Sequence, residues 1–234
     1  MGKRRSLHFM AILILARHGR TAANASGILA GRTAGIGLDR RGIAQARSAE
    51  LRLQGLELSR VVSSPMQRCL ETAGLLTPDH EVVIEPGLNE CDYGDWTGGQ
   101  VKDLATEDLW RTVQVHPTRA RFPNGESVSE MATRAVLSVR RIDSEVTEAQ
   151  GEDAIWLAVS HGDIIKALLN EALGAHLDAF QRILVNPASL SVIRYTSERP
   201  YVLAMNTTSG GLADLLRPTS DHARVRGATV GGGQ

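Results

Sequence analysis

Apolar runs of strand length recur along this chain, and stretches of helical period separate most of them. The runs cover residues 11–15, 60–63, 81–84, 155–159, 189–195 and 201–205. A strand that returns parallel to its predecessor needs a crossover, and a helix commonly supplies it. The alternation therefore predicts an α/β fold, a three-layer α/β/α sandwich around a mainly parallel sheet. In one helical stretch Ile43, Ala46, Ala49 and Leu53 share a side. A second begins at "SSPMQRCLETAGLL", where Ser64 is placed to cap and Pro65 suits the first helical position. A third opens with Ser127 and Glu130 at capping-box spacing and carries a stripe of Val128, Met131, Ala135, Val139, Ile142 and Val146. A fourth, "DIIKALLNEALG", ends at Gly174, a left-handed cap.

No internal repeat is visible in the 234 residues, so residues 1–210 read as one domain. Residues 211–234 carry no apolar period and are expected to form a disordered tail. Residues 97–126 read as a lid or substrate loop. The 26 basic and 26 acidic residues cancel. That balance gives no broad positive field for nucleic acid or a membrane surface. The start, "MGKRRSLHFMAILILA", resembles a basic n-region with an apolar core, but the apolar part is short and runs into Arg17. A buried strand is the reading, with a signal peptide the alternative. The same start fits the loose myristoylation pattern. No segment reaches membrane-spanning length. Two cysteines, Cys69 and Cys91, make neither a disulfide framework nor a zinc pattern; reduced thiols in a cytoplasmic protein are the default, with their pairing left open.

Charged residues at the mouth of an apolar strand are costly unless paired or functional. The first run ends in "ARHG", placing Arg17 and His18 at its exit, and the fourth ends in "SHGD", placing His161 at its exit. Neighbouring parallel strands would bring these together. The glycine after each histidine permits close approach of backbone to a ligand. At Gly162 a helix begins, so free N–H groups and the helix dipole favour an anion. The second run leads to Arg68 and the third to Glu90. Two arginines, two histidines and one carboxylic acid suit a tetrahedral dianion.

The segments "RHGRTAAN", "SSPMQRCLET", "LNECDYGDWTG" and "SHG", in this order, resemble the successive signatures of the histidine phosphatase superfamily, in its cofactor-dependent phosphoglycerate-mutase-like branch. The resemblance covers residues 12–195. It implies a phosphoglycerate-mutase-like fold with His18 as nucleophile, forming a phosphohistidine. Arg17, Arg68 and His161 would hold the phosphoryl oxygens, with Asn24 and the Gly162 N–H as further contacts. Glu90 would protonate the leaving oxygen. Ala30, Gly31 and Tyr93 fall where the family lines its substrate pocket. Thr21 is a further candidate phosphate or substrate contact, and Arg20 beside it is either a solvated charge or a second phosphate contact.

These residue types fit phosphoryl transfer on chemical grounds too. Fixed cations stabilise charge spread over three oxygens, and arginine forks grip such oxygens at two points. A neutral imidazole approaches a dianion without repulsion. A free glutamic acid, with a pKa of about 4.3, is too acidic to serve near neutrality. Glu90 is therefore expected to hold its proton mainly in the substrate complex. Glu90, Asp92 and Asp95 form an acidic cluster, so a magnesium-dependent phosphatase is the competing reading. The arginines already supply the metal's charge, and no metal is assigned. "GRTAGIGLD" lacks a P-loop lysine and reads as an edge of the pocket. Lys102, Arg111, His116, Arg119 and Arg121 read as a solvated loop, with contact to a second anionic group the alternative. Cys91 reads as a packing residue.

Water as acceptor gives a phosphatase; a returning hydroxyl gives a mutase. The 71 positions from Glu90 to His161 make a shorter segment than the family's glycolytic mutases carry there, and "RAR" at 119–121 only faintly echoes their arginine pair. Hydrolysis of phosphate monoesters of small metabolites is the expectation, without cofactor. A phosphoglycerate mutase, primed by 2,3-bisphosphoglycerate, is the alternative, and a binding or regulatory member of the fold the third reading. The expected partner is a small phosphorylated metabolite, and the default assembly a homodimer.

Overall fold

Strand β1 (Phe9–Arg17) runs through the middle of the molecule, in a computed structural model that describes residues 9–216. Its side chains alternate between faces, as the pleat requires. Leu13 and Leu15 enter one apolar cluster, and Ile12, Ile14 and Ala16 enter another. A strand apolar on both faces must be covered twice, and helices do so here. The first helices in sequence are the single turn α1 (Ala22–Ala25) and α2 (Arg40–Glu50). There follow β2 (Leu58–Ser63), α3 (Gln67–Leu76) and β3 (Val82–Ile84). Short helices α4 (Val101–Leu104) and α5 (Asp108–Val115) precede the long α6 (Val128–Gln150). The chain then forms β4 (Ile155–Ser160), α7 (Gly162–Ala172), β5 (Leu190–Thr196), β6 (Tyr201–Thr207) and α8 (Ala213–Leu216).

The six strands are ordered β3-β2-β4-β1-β5-β6. β3, β2, β4 and β1 are parallel neighbours, while β5 and β6 add antiparallel. The expected mainly parallel sheet is thus present, with an antiparallel edge formed by two strands that follow one another closely. Helices α6 and α7 supply one covering layer; α2, α3 and α8 supply the other. The stripe expected on α6 is buried at every position. Ser127 and Glu130 form the expected capping box, Ser127 Oγ accepting from the Glu130 N–H at 3.1 Å and Glu130 Oε2 accepting from the Ser127 N–H at 2.8 Å. Gly174, past the end of α7, has φ +64°.

Four details differ from the sequence reading. Helix α3 starts at Gln67, not at Pro65; the Ser64 hydroxyl bonds to His161 and, at 3.4 Å, accepts from the Met66 N–H. Ile43 on α2 is 36% exposed, and Gly42, Ala46 and Ala49 form the buried side. Residues 97–126 are no open loop: Leu104, Val113 and Phe122 are buried, and Trp96 and Trp110 stack with centroids 6.1 Å apart. The packed chain also reaches beyond residue 210, since Leu212 and Leu216 pack with α2 and α3; the rest of the expected tail lies outside the described residues.

Candidate active site

The carboxyl ends of the parallel strands meet at one edge, where open α/β sheets place their ligands. Arg17 at the end of β1 pairs with Ser160 at the end of β4, so the next residues, His18 and His161, emerge together. Their ring centroids lie 5.3 Å apart, edge to face. Strand β2 delivers Ser64, whose Oγ is 2.7 Å from His161 Nε2, and the first turn of α3 delivers Arg68. The glycine after His18 serves packing rather than a ligand: a Cβ at Gly19 would lie 2.6 Å from the Gly42 carbonyl oxygen of α2. A Cβ at Gly162 would instead fit in ordinary van der Waals contact with the Arg17 guanidinium, at 3.5 Å.

Hydrogen bonds fix both imidazole tautomers. His18 Nδ1 lies 2.7 Å from the Gly19 carbonyl oxygen. A carbonyl only accepts, so Nδ1 carries the proton and Nε2 keeps a free lone pair. Burial, reinforced by Arg17 and Arg68, holds the His18 pKa well below its usual 6.5, and the ring is uncharged near neutrality. Arg68 Nη2 lies 3.2 Å from His161 Nδ1. A guanidinium only donates, so this Nδ1 accepts and His161 Nε2–H donates to Ser64. Burial depresses the His161 pKa as well, so its 3.5 Å approach to Glu90 Oε2 is not an ion pair near neutrality.

Arg68 is itself buried, and Arg17 is half-buried. Arg17 Nη1 donates to the Val185 carbonyl at 2.6 Å and Arg68 Nη2 to the Gly31 carbonyl at 2.8 Å. Arg17 Nε and Arg68 Nη1 have no hydrogen-bond partner among the described residues. Unmatched buried donors are rare and costly, and both arginines line one cavity.

Glu90 hangs from a backbone clamp that the sequence did not reveal. Arg32 Nε and Arg134 Nη2 both donate to its carbonyl, at 2.9 and 3.0 Å, and Arg134 Nη1 also holds the Gly87 and Asn89 carbonyls. Glu126 ties the two arginines together. The Glu90 side chain is buried, with Oε2 3.9 Å from Arg68 Nη2. Burial first, then Asp163, push its pKa up to about 7 against the opposing pull of Arg68 and Arg17. Sequence reasoning expected Glu90 to hold its proton mainly in the substrate complex; burial already raises its proton affinity without a ligand.

Arg17, His18, Asn24, Ala30, Gly31, Arg68, Glu90, Tyr93 and Gly162 line one cavity of about 370 Å³. His161 is fully buried behind Arg68 and is not part of that wall. Asn24 Oδ1 accepts from the Thr21 N–H and hydroxyl, which leaves Nδ2 for a ligand. Arg20 and Thr21 stand outside. Arg20 Nε pairs with Asp39 at 2.8 Å, and Thr21 caps α1. The acidic cluster disperses, Asp92 pairing with Arg32 and Asp95 accepting from Asn124. Both cysteines are free and buried, and burial raises their pKa values, so neither is an activated thiolate. Further wall residues went unread: Asp163, Lys166, Leu184, Val185 and Asn186, with Ile28 and Leu29. Asp163 could have been noticed as the residue after "SHG", but an acid in a helix's first turn is ordinary.

Two arginine forks, one buried and one half-buried, beside an uncharged imidazole suit an anionic group such as a phosphoryl. The chain belongs to the histidine phosphatase superfamily (branch 1), whose sequence pattern matches residues 13–208. It is 30% identical over 209 residues to the adenosylcobalamin/alpha-ribazole phosphatase of Escherichia coli, covering 86% of this chain and 98% of that one. It is 29% identical to a probable phosphoglycerate mutase GpmB of Yersinia pestis, over 89% and 96% of the two chains. The crystal structure of a putative alpha-ribazole-5'-P phosphatase from Escherichia coli superposes with a TM-score of 0.73 at 28% identity, over 86% and 98%. No helix among the described residues is long and apolar enough to cross a membrane.

Proposed function

We propose that this enzyme hydrolyses phosphate monoesters of small metabolites through a phosphohistidine on His18. The observation that carries the reading is the pair of unpartnered buried donors, Arg17 Nε and Arg68 Nη1, on the cavity that holds the free Nε2 of an uncharged His18. His18 Nε2 attacks phosphorus while the bond from phosphorus to the ester oxygen breaks. Glu90 gives its proton to that departing oxygen, and the product alcohol leaves. Water then attacks the phosphohistidine, Glu90 takes up a proton from it, and the N–P bond breaks to release phosphate. His18 and Glu90 return to their starting states.

Arg17 and Arg68 hold the three equatorial oxygens, helped by Asn24 Nδ2 and the Gly162 N–H at the start of α7. His161 backs Arg68 and aims its fork, in place of the direct contact expected from the sequence. The arginines supply the charge stabilisation, so no metal is assigned a part. The Escherichia coli relative is named as a phosphatase and supports hydrolysis. The Yersinia relative favours the second reading, transfer between hydroxyls of phosphoglycerate. The test is phosphate release from p-nitrophenyl phosphate and from simple alkyl phosphates, beside conversion of 3-phosphoglycerate to its 2-isomer with a bisphosphoglycerate primer. Hydrolysis without isomerisation is expected; isomerisation outpacing hydrolysis overturns the assignment.

A further inference from the structure

We propose that Asp163 restricts this site to phosphate monoesters whose remaining body carries no second anionic group. The inference rests on the hydrolase reading above and extends it to substrate class.

Asp163 stands on the cavity wall in the first turn of α7. Its Oδ2 accepts from the Tyr93 hydroxyl at 2.9 Å, and its Oδ1 accepts from Lys166 Nζ at 3.1 Å. Lys166 is the cation on that wall besides Arg17 and Arg68, among the described residues. It is held from three sides: by Asp163, by Gln181 Oε1 at 3.0 Å, and by the Phe180 ring with its centroid 5.5 Å away. A lysine so matched offers a second anion little, and the carboxylate beside it repels one in a partly desolvated site.

The rest of the wall agrees. Ile28, Leu29, Leu184 and Val185 are apolar, and Asn186 is a neutral amide. Two basic residues of the 97–126 segment point to other partners, Arg121 to Glu130 and His116 to Asp178. The body of the substrate therefore meets hydrocarbon, the Asn186 amide and the Asp163 carboxylate with its matched lysine. Hydroxyls and apolar groups suit that surface, and Asp163 is its specificity-determining residue.

An isosteric pair of esters tests this, 3-hydroxypropyl phosphate against 2-carboxyethyl phosphate, with kcat/KM measured for each at one pH. Both leave as primary alkoxides, so any effect of Asp163 on the Glu90 proton cancels in the ratio. The parent should prefer the hydroxyl ester by about tenfold or more. Asp163→Asn frees Lys166 and should compress that ratio several-fold, mainly through a lower KM for the carboxylate ester. Lys166→Met leaves Asp163 unmatched and should widen it, which gives a second readout if the first variant folds poorly. Turnover of both esters by the parent without discrimination overturns the inference alone, as does a ratio unmoved in both variants. Failure of the parent to hydrolyse either ester sinks the hydrolase reading and this inference with it.

Discussion

Replacing Glu90 with glutamine keeps the shape of the side chain and removes its proton, which makes it the sharpest probe of the acid step. Burial and Asp163 hold the Glu90 pKa at about 7, against a usual 4.5. At pH 7 about half of the enzyme then carries the proton, where an ordinary glutamic acid would carry it in about 0.3% of molecules. The environment thus provides about 150-fold more acid, equivalent to roughly 3 kcal/mol. General acid catalysis typically contributes about 10²–10⁴-fold, and the Glu90→Gln variant should lose that factor in kcat/KM toward an alkyl phosphate. Toward p-nitrophenyl phosphate, whose leaving oxygen needs little protonation, the loss should stay under about tenfold. The parent's kcat/KM for the alkyl ester should fall as pH rises through about 7, and the variant should lack that limb. Both profiles are read by phosphate release across pH 5 to 9. Parental turnover of the alkyl ester by Glu90→Gln, or an unchanged alkaline limb, refutes the reasoning.

The same carboxyl also predicts a stability effect. A raised folded-state pKa contributes stability below the ordinary carboxylate range that is lost as pH rises through about 7, so in denaturant unfolding Glu90→Gln should be more stable than the parent at pH 8, by up to about 3 kcal/mol, and not at pH 4. Arg134→Ala removes donors from the carbonyls of Gly87, Asn89 and Glu90 and should lower kcat toward alkyl esters about tenfold or more while the protein still folds, read by circular dichroism beside kinetics. Ser127→Ala breaks the α6 capping box and should cost about 1 kcal/mol in denaturant unfolding with activity unchanged. Prolonged chelation should leave phosphatase activity intact; loss restored by magnesium would return the metal-dependent reading.

The strand exits were legible because each motif is local: "ARHG", "SSPMQR" and "SHG" carry a strand end and its chemistry within a few residues. The alternation of strands and helices predicted a parallel sheet, and the pairing of β1 with β4 supplied the neighbourhood the two histidine motifs required. Asp163 and Lys166 escaped notice, and Tyr93 was read only as a pocket residue, because their meeting depends on packing between α7 and a segment 70 residues earlier. The clamp on Glu90 joins Arg32, Glu126 and Arg134 from three elements, and none looks unusual in its own neighbourhood. Residues 97–126 read as a loop because their helices are short, with the apolar anchors Trp96, Trp110 and Phe122 spread across them. The proton affinity of Glu90 is a property of burial, which residue types alone do not express.

The covalent intermediate offers the most direct test. Enzyme mixed with phosphate-labelled ester and quenched in alkali, where an N–P bond survives, should carry label on the peptide that contains His18, and acid should strip it. His18→Ala should carry none and release no phosphate. Stable label on a serine, cysteine or carboxylate, or turnover that persists in His18→Ala, would contradict the account.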